Sequence, residues 1–234
     1  MNILCVIPAR AGSKGVKNKN LREVAGRPLI SYIIESAKRA ETLGRVIVST
    51  ESEAIAEAAR KWGAETPFMR PFELARDHIS LIPVAQHALH SMDALGWRAD
   101  AVVSLQPTSP LTSPEDIDRA VGLFRESGCD SVVSVERIEK HHPFRAYAIE
   151  RDTLLPFTEY TSEKYLQRQD RPPAYGFTGA LYVRKRELLE NWSGKDFCLG
   201  QDVRGVVIDR SRSLNIDAED DLEYFAFRMS RAKT

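Results

Sequence analysis

Short runs of consecutive apolar residues alternate along this chain with stretches in which apolar positions recur every three or four residues. Ile3-Leu4-Cys5-Val6-Ile7, Val46-Ile47-Val48, Ala101-Val102-Val103-Ser104-Leu105 and Ser131-Val132-Val133-Ser134-Val135 read as strands. Near-continuous runs of this kind suit strands buried on both faces, as in a parallel sheet. Between them, Leu29, Ile30, Ile33, Ile34 and Ala37 fall at helical spacing, as do Ile55, Ala58, Ala59 and Trp62. Further helices are expected around Pro83–Leu95 and over Ile117, Ala120, Val121 and Phe124. Pro28 suits a first turn, Gly63 a helix end, and Ser113-Pro114-Glu115-Asp116 a capped helix start. Strand alternating with helix predicts an α/β fold, with a mostly parallel sheet flanked by helices and right-handed crossovers.

The pattern breaks after the fourth strand. Residues 136–178 are rich in charge and aromatics and have no long apolar run. This stretch reads as an excursion from the sheet, an arm or dimerising flap, whose Phe144, Tyr147, Phe157, Tyr160, Tyr165 and Tyr175 need a partner surface. Gly179-Ala180-Leu181-Tyr182-Val183 returns to the sheet. Leu188, Leu189 and Trp192 suggest a short helix, Val206-Val207-Ile208 a late strand, and Leu222, Phe225, Ala226 and Met229 a last helix.

Ligands of such sheets bind beyond the carboxyl ends of the strands. That edge would carry Arg10–Asn20, Thr50–Glu51 and Gln106-Pro107-Thr108-Ser109-Pro110. The first loop, Pro8-Ala9-Arg10-Ala11-Gly12-Ser13-Lys14-Gly15, pairs small residues with cations, and no acid stands between Met1 and Leu21. Gly12 and Gly15 would let backbone approach a ligand, and Arg10, Lys14, Lys17 and Lys19 would ring it with charge, as a polyphosphate requires. The Gly-x-x-x-x-Gly-Lys-Ser/Thr spacing is absent, and Arg10 stands where a dinucleotide fingerprint wants its first glycine. Arg70 precedes a proline and would be extended, able either to reach the same edge or to remain on the surface. His87 and His90, three apart on one helix, read as helix surface or core because no third ligand stands at suitable spacing. In Ser213-Leu214-Asn215-Ile216-Asp217, Asn215 and Asp217 would share one side while Leu214 and Ile216 face the core. Asp217 could hold a divalent cation or cap the last helix.

Charge narrows the partners. Thirty-three basic and thirty-three acidic residues cancel in 234, so neither nucleic acid nor an anionic membrane is favoured and an anion site must be built locally. Three widely spaced cysteines argue against a disulfide framework or zinc cluster. The short N-terminal apolar run does not read as a signal peptide, no stretch approaches membrane-spanning length, and a cytoplasmic location is expected.

Taken in order, these segments resemble the CMP-sialate synthetase family, the N-acylneuraminate cytidylyltransferases and their legionaminate and pseudaminate relatives. The likeness rests on Pro8–Gly15 with Lys19-Asn20, Val48-Ser49-Thr50, Arg70-Pro71-x-Glu73-Leu74-Ala75, Leu105-Gln106-Pro107-Thr108-Ser109-Pro110-Leu111, Arg168-Gln169-x-x-Pro172, Gly179-Ala180-Leu181-Tyr182 and Asn215-Ile216-Asp217. It implies a single domain over 1–234 with a Rossmann-like nucleotide-diphospho-sugar transferase fold, working as a homodimer with Mg²⁺. The implied reaction is CTP plus a nonulosonic acid giving the CMP-sugar and pyrophosphate. By this resemblance Arg10, Ala11, Gly12, Ser13, Lys14, Lys19, Asn20 and Arg70 would hold the nucleotide. Gln106, Thr108, Ser109, Arg145, Arg168, Gln169 and Tyr182 would line the sugar site. Asp217, with Asn215, would hold the metal. Asp217, Arg10, Gln106 and Lys19 are the candidate catalytic residues. Asn215 stands where many members carry aspartate, Glu51 replaces a frequent Asp, and Gly176-Phe177-Thr178 departs from the usual residues near the sugar. Three rivals remain open: a cytidylyltransferase for an eight-carbon keto-deoxy acid, an NAD-dependent oxidoreductase with Glu51 on the ribose, and a non-catalytic nucleotide-binding regulator.

Overall fold

A computed structural model describes residues 1–12, 15–158, 165, 167–194 and 196–231. The first buried run forms β1 (Ile3–Pro8). A two-stranded ribbon, β2 (Glu23–Val24) and β3 (Arg27–Pro28), leads into α1 (Leu29–Arg39). Pro28 stands at the N-cap of α1 rather than within its first turn. Next come β4 (Arg45–Ser49) and α2 (Glu53–Lys61), with Gly63 beyond the end of α2 at φ 88°. After α3 (Leu81–Ala94) follow β5 (Ala101–Leu105), α4 (Pro114–Ser127) and β6 (Ser131–Arg137). The capping box of α4 forms as expected, with Asp116 N donating to Ser113 Oγ at 3.3 Å. Residues beyond β6 form the hairpin β7 (Tyr147–Glu150) and β8 (Thr153–Pro156), then β9 (Tyr175–Lys185) and α5 (Arg186–Glu190). The chain closes with β10 (Val203–Val207) and α6 (Glu219–Arg231).

Among the described residues, six strands make the main sheet in the order β10-β6-β9-β5-β1-β4. β1 lies parallel between β4 and β5, and β10 is parallel to β6. β9 runs antiparallel to both β5 and β6, so the sheet is mixed and mostly parallel. The excursion is shorter than its sequence pattern suggests, because Glu136 and Arg137 pair with Gly176 and Tyr175 as ladder residues. Tyr147, Ile149, Leu154, Phe157, Tyr175 and Phe177 are exposed there, whereas Phe144 packs on His142 and Tyr165. Tyr160 lies outside the described residues.

Two apolar layers hold the sheet. Ile30, Ile33 and Ile34 of α1, with Ile117, Val121 and Phe124 of α4, cover one face, and Ile82, Leu89 and Met92 of α3 the other. A third cluster positions the site. Ile216 and α6's Leu222 and Phe225 bury against Val16, Val24, Leu29 and Tyr32, the Phe225 and Tyr32 rings meeting edge-on at 4.8 Å. These are residues nearly the whole chain apart, so one patch of apolar burial pins the C-terminal segment onto the loop that follows β1.

Candidate active site

Beyond the carboxyl ends of β1 and β5 opens a cleft of about 320 Å³. Arg10, Lys19 and Asn20 from the first loop, Arg70, Gln106 and Thr108, and Asp217 all border it. Arg10, Lys19, Asn20, Gln106 and Thr108 thus meet at one edge of the sheet, beyond the strand ends.

The first loop is held from within and from outside. Asn20 is buried, and its Nδ2 donates to the Arg10 carbonyl at 2.9 Å, tying the loop's two ends together. Asn18, at φ 54°, enters the short 3-10 turn Lys19–Leu21. Lys19 Nζ donates to the Ile216 carbonyl at 2.7 Å and stands 3.6 Å from Asp217 Oδ1. Arg10 pairs with Asp77, and its Nη1 reaches the Ala75 carbonyl at 3.4 Å. Ser13 and Lys14 lie outside the described residues.

The two glycines differ in their surroundings, and Gly15 itself borders the cleft. A Cβ on Gly12 would meet nothing within 4 Å, but one on Gly15 would stand 1.9 Å from the Asp217 carbonyl oxygen. Gly15 is needed so that two backbone segments can touch. Ala11 also differs: its N–H donates to Glu51 Oε1 at 2.8 Å, so in this state that amide serves the scaffold.

Arg70 reaches the edge and is buried, its backbone N–H on the Thr50 carbonyl at 2.8 Å and its Nη2 on Glu51 Oε2 at 2.7 Å. Arg70 Nε and Gln106 Nε2 are both buried donors without an acceptor among the described residues. Two orphaned donors beside one cleft are best explained by an acceptor that arrives with a ligand. With Arg10, Lys19, Arg70 and Arg76 against Asp77 and Asp217, the lining carries more positive than negative charge.

Asp217 does not cap α6. Asp221, in the first turn of α6, reaches back to the segment before it, its Oδ2 accepting from both Asp217 N and Ala218 N at 2.9 Å. The Asp217 side chain is 71% exposed and accepts from Asn215 Nδ2 at 2.5 Å. Asn215 itself is not on the cleft wall, so the structure gives it the part of a brace for Asp217. Thr108 receives Ile216 N–H on its carbonyl at 2.7 Å, which links the loop after β5 to the same segment.

Other expected sugar-site residues lie elsewhere. Ser109 is buried within its turn, its carbonyl accepting from Thr112 Oγ1 at 3.0 Å. Arg145 is exposed, and Arg168 meets Glu139 at 3.1 Å in a separate hollow at the root of the excursion, with Arg137, His142 and Arg171. Gln169 Nε2 donates to its neighbour Gln167. Tyr182 lies on β9 under the Arg184 guanidinium, 4.5 Å from its ring. These five do not join the cleft within one chain.

Sequence reasoning passed over several groups here. Asp77 pairs with Arg10, and Leu74, Ile79, Leu81 and Val84 supply an apolar wall. His87 packs edge-on against Phe68 at 5.1 Å, and burial first, then the Arg70 charge, lowers its pKa. Among the described residues no group of three or more His, Cys, Asp or Glu side chains could hold a metal by itself. Glu51 faces the scaffold, one oxygen on the Ala11 N–H and the other on Arg70, its side chain 11% exposed and off the cleft wall, which argues against the ribose contact behind the NAD reading.

Residues 4–201 match the family model for Cytidylyltransferase. The chain belongs to the cytidylyltransferase family. It is 36% identical over 195 residues, 82% of each chain, to the CMP-N,N'-diacetyllegionaminic acid synthase of Legionella pneumophila. To the pseudaminic acid cytidylyltransferase of Campylobacter jejuni it is 32% identical, covering 96% of this chain and 94% of that one. The fold matches that of a CMP:2-keto-3-deoxy-manno-octonic acid synthetase complexed with CTP, with a TM-score of 0.76 at 19% identity over 99% of this chain and 100% of that one. As a cytidylyltransferase, the protein is an enzyme of the nucleotidyltransferase type, and the regulator reading falls away.

Proposed function

We propose that this enzyme transfers CMP from CTP to the anomeric hydroxyl of a nonulosonic acid of the sialic, legionaminic or pseudaminic type, releasing pyrophosphate. The observation that carries the reading is the cation-lined cleft with two orphaned donors, Arg70 Nε and Gln106 Nε2. Arg10, Lys19 and Arg70 hold the triphosphate, together with Gly12, Ser13, Lys14 and Asn20. As negative charge gathers on the phosphoryl oxygens, fixed cations already in place stabilise it without reorganisation. Gln106 orients the acceptor hydroxyl, since an amide is a poor proton acceptor. Thr108 borders the acceptor.

Asp217 fits a hard divalent cation: it is a carboxylate at the cleft, braced by Asn215, with an exposed side chain. Magnesium commonly takes one or two carboxylates and completes its shell with water and substrate phosphates. Bound there, Mg²⁺ would neutralise phosphate charge and acidify the attacking hydroxyl. Asn215 would contribute chiefly by aiming Asp217.

The protein acts as a cytoplasmic homodimer in this reading. No helix among the described residues is long and apolar enough to cross a membrane. The excursion between β6 and β9, residues 138–174, exposes Tyr147, Ile149, Leu154 and Phe157, an apolar face that a second copy would cover. A partner's excursion could then bring Arg145 and Arg168, with Gln169, to a cleft they do not reach within one chain, and Ser109 and Tyr182 would shape it from behind.

A pyrophosphate-release assay with CTP, Mg²⁺ and a panel of nonulosonic and octulosonic acids tests the assignment. Turnover confined to nonulosonic acids is expected, and turnover confined to the eight-carbon acid would refute it. Arg10→Ala should raise the KM for CTP about 10-fold or more, the worth of a charge-assisted hydrogen bond, with little change for the acid.

A further inference from the structure

Glu51 does not border the cleft, yet two parts of the cleft wall are anchored on it. Its Oε1 accepts the Ala11 N–H at 2.8 Å and its Oε2 the Arg70 Nη2 at 2.7 Å. Resting on the cytidyl-transfer reading, we propose that Glu51 is a positioning residue for CTP, coupling the loop after β1 to the Arg70 guanidinium so that both meet the nucleotide as one rigid unit.

The geometry gives the reason. A guanidinium is planar, so holding Nη2 sets the directions of its remaining N–H groups. Arg70 is also held at its backbone by the Thr50 carbonyl, one residue before Glu51, and Thr50 Oγ1 in turn receives Ser52 N–H at 3.1 Å. Nε–H is a buried donor with no acceptor among the described residues. The Glu51 and Arg70 side chains are 11% and 3% exposed, so the ion pair is screened little by water and its orientation is stiff. A carboxylate facing the cleft would repel a triphosphate. Placed behind Arg70 it orients the cation, while the Arg10 and Lys19 side chains supply charge toward the ligand. The second oxygen fixes Ala11, next to Arg10, so one side chain bridges the two segments that carry Arg10 and Arg70.

Glu51→Gln keeps the shape but replaces one acceptor by a donor facing a donor. CTP affinity by calorimetry should fall about 10-fold or more, the worth of a hydrogen bond to a charged group, with a matching rise in the KM for CTP. The KM for the acid acceptor should stay within about twofold, a split that a general loss of structure would not produce. In an Arg70→Met background the same change should weaken CTP by less than about twofold. Equal rises in both KM values, an unchanged CTP affinity, or full additivity with Arg70→Met would each overturn the proposal. Should Glu51→Gln fail to fold, Glu51→Asp replaces it, one methylene too short to span both donors. Wild-type protein that binds no CTP would instead overturn the nucleotide reading. Hydrogen exchange at the Ala11 amide then decides the coupling separately: faster exchange in the variant upholds it, and an unchanged rate overturns it.

Discussion

Gly15→Ala is the sharpest test of how the cleft is assembled. The added methyl would lie 1.9 Å from the Asp217 carbonyl oxygen and 3.2 Å from its carbon. A close C···O contact needs about 3.3 Å, so the two segments must separate by about 1.4 Å. The obstacle is backbone, not the end of a flexible side chain, and no rotamer change relieves it. Separation would stretch the 2.7 Å bond from Lys19 to the Ile216 carbonyl and carry Asp217 away from Lys19. Overpacking of this kind costs about 1–3 kcal/mol, or a melting temperature lower by about 3–9 °C in a chain this long. A 1 Å misplacement of reacting groups can cost about 100-fold in rate. The expected result is thus a folded protein whose kcat/KM for CTP-dependent pyrophosphate release falls about 100-fold. Gly12→Ala is the control, because its methyl meets open space. It should leave the melting temperature unchanged and weaken CTP where the nucleotide backs against that loop. Gly15→Ala protein with kcat/KM within about threefold of wild type would refute the close contact.

Asp217→Ala should lower kcat by about 100-fold or more with the fold intact by circular dichroism, and activity retained at saturating Mg²⁺ would remove its metal role. Phe225→Ala deletes a fully buried ring of the third cluster and should cost about 3–5 kcal/mol by denaturant unfolding, with activity lost at milder denaturant than the global transition as Asp217 detaches. His87 carries a pKa below its ordinary value near 6.5, because burial and the Arg70 charge disfavour the imidazolium. Between the two values the unfolded chain binds more protons, so the His87 contribution is intact above about pH 6.5, declines as pH falls, and levels off below the folded value. Comparing denaturation midpoints of wild type and His87→Gln from pH 7.5 down to about pH 5 should show a steeper decline in the wild type.

Periodicity along the chain was enough for the α/β class, an interior place for β1 with a neighbour on each side, the capping of α4 at Ser113 and the edge on which a ligand would sit. These are local facts: a side chain's burial alternates with its own strand or helix, and strand ends follow from strands. The loop residues Arg10, Gln106 and Thr108 were legible for the same reason, since each lies just beyond a readable strand, and Lys19 and Asn20 through the basic loop that Arg10 opens. Tertiary structure alone decided what these residues touch. That β9 runs antiparallel between β5 and β6 depends on pairings across tens of residues, to which one-dimensional periodicity is blind. That Gly15 serves contact with Asp217 and that Asp221 reaches back from α6 to the Asp217 and Ala218 amides follow from the burial of Phe225 and Ile216 against Tyr32 and Val16. That Glu51 binds Ala11 and Arg70 depends on three loops meeting at one sheet edge. The chemistry-bearing groups were written in short stretches. Their mutual distances arose from non-local apolar burial, which brings together residues that no local pattern relates.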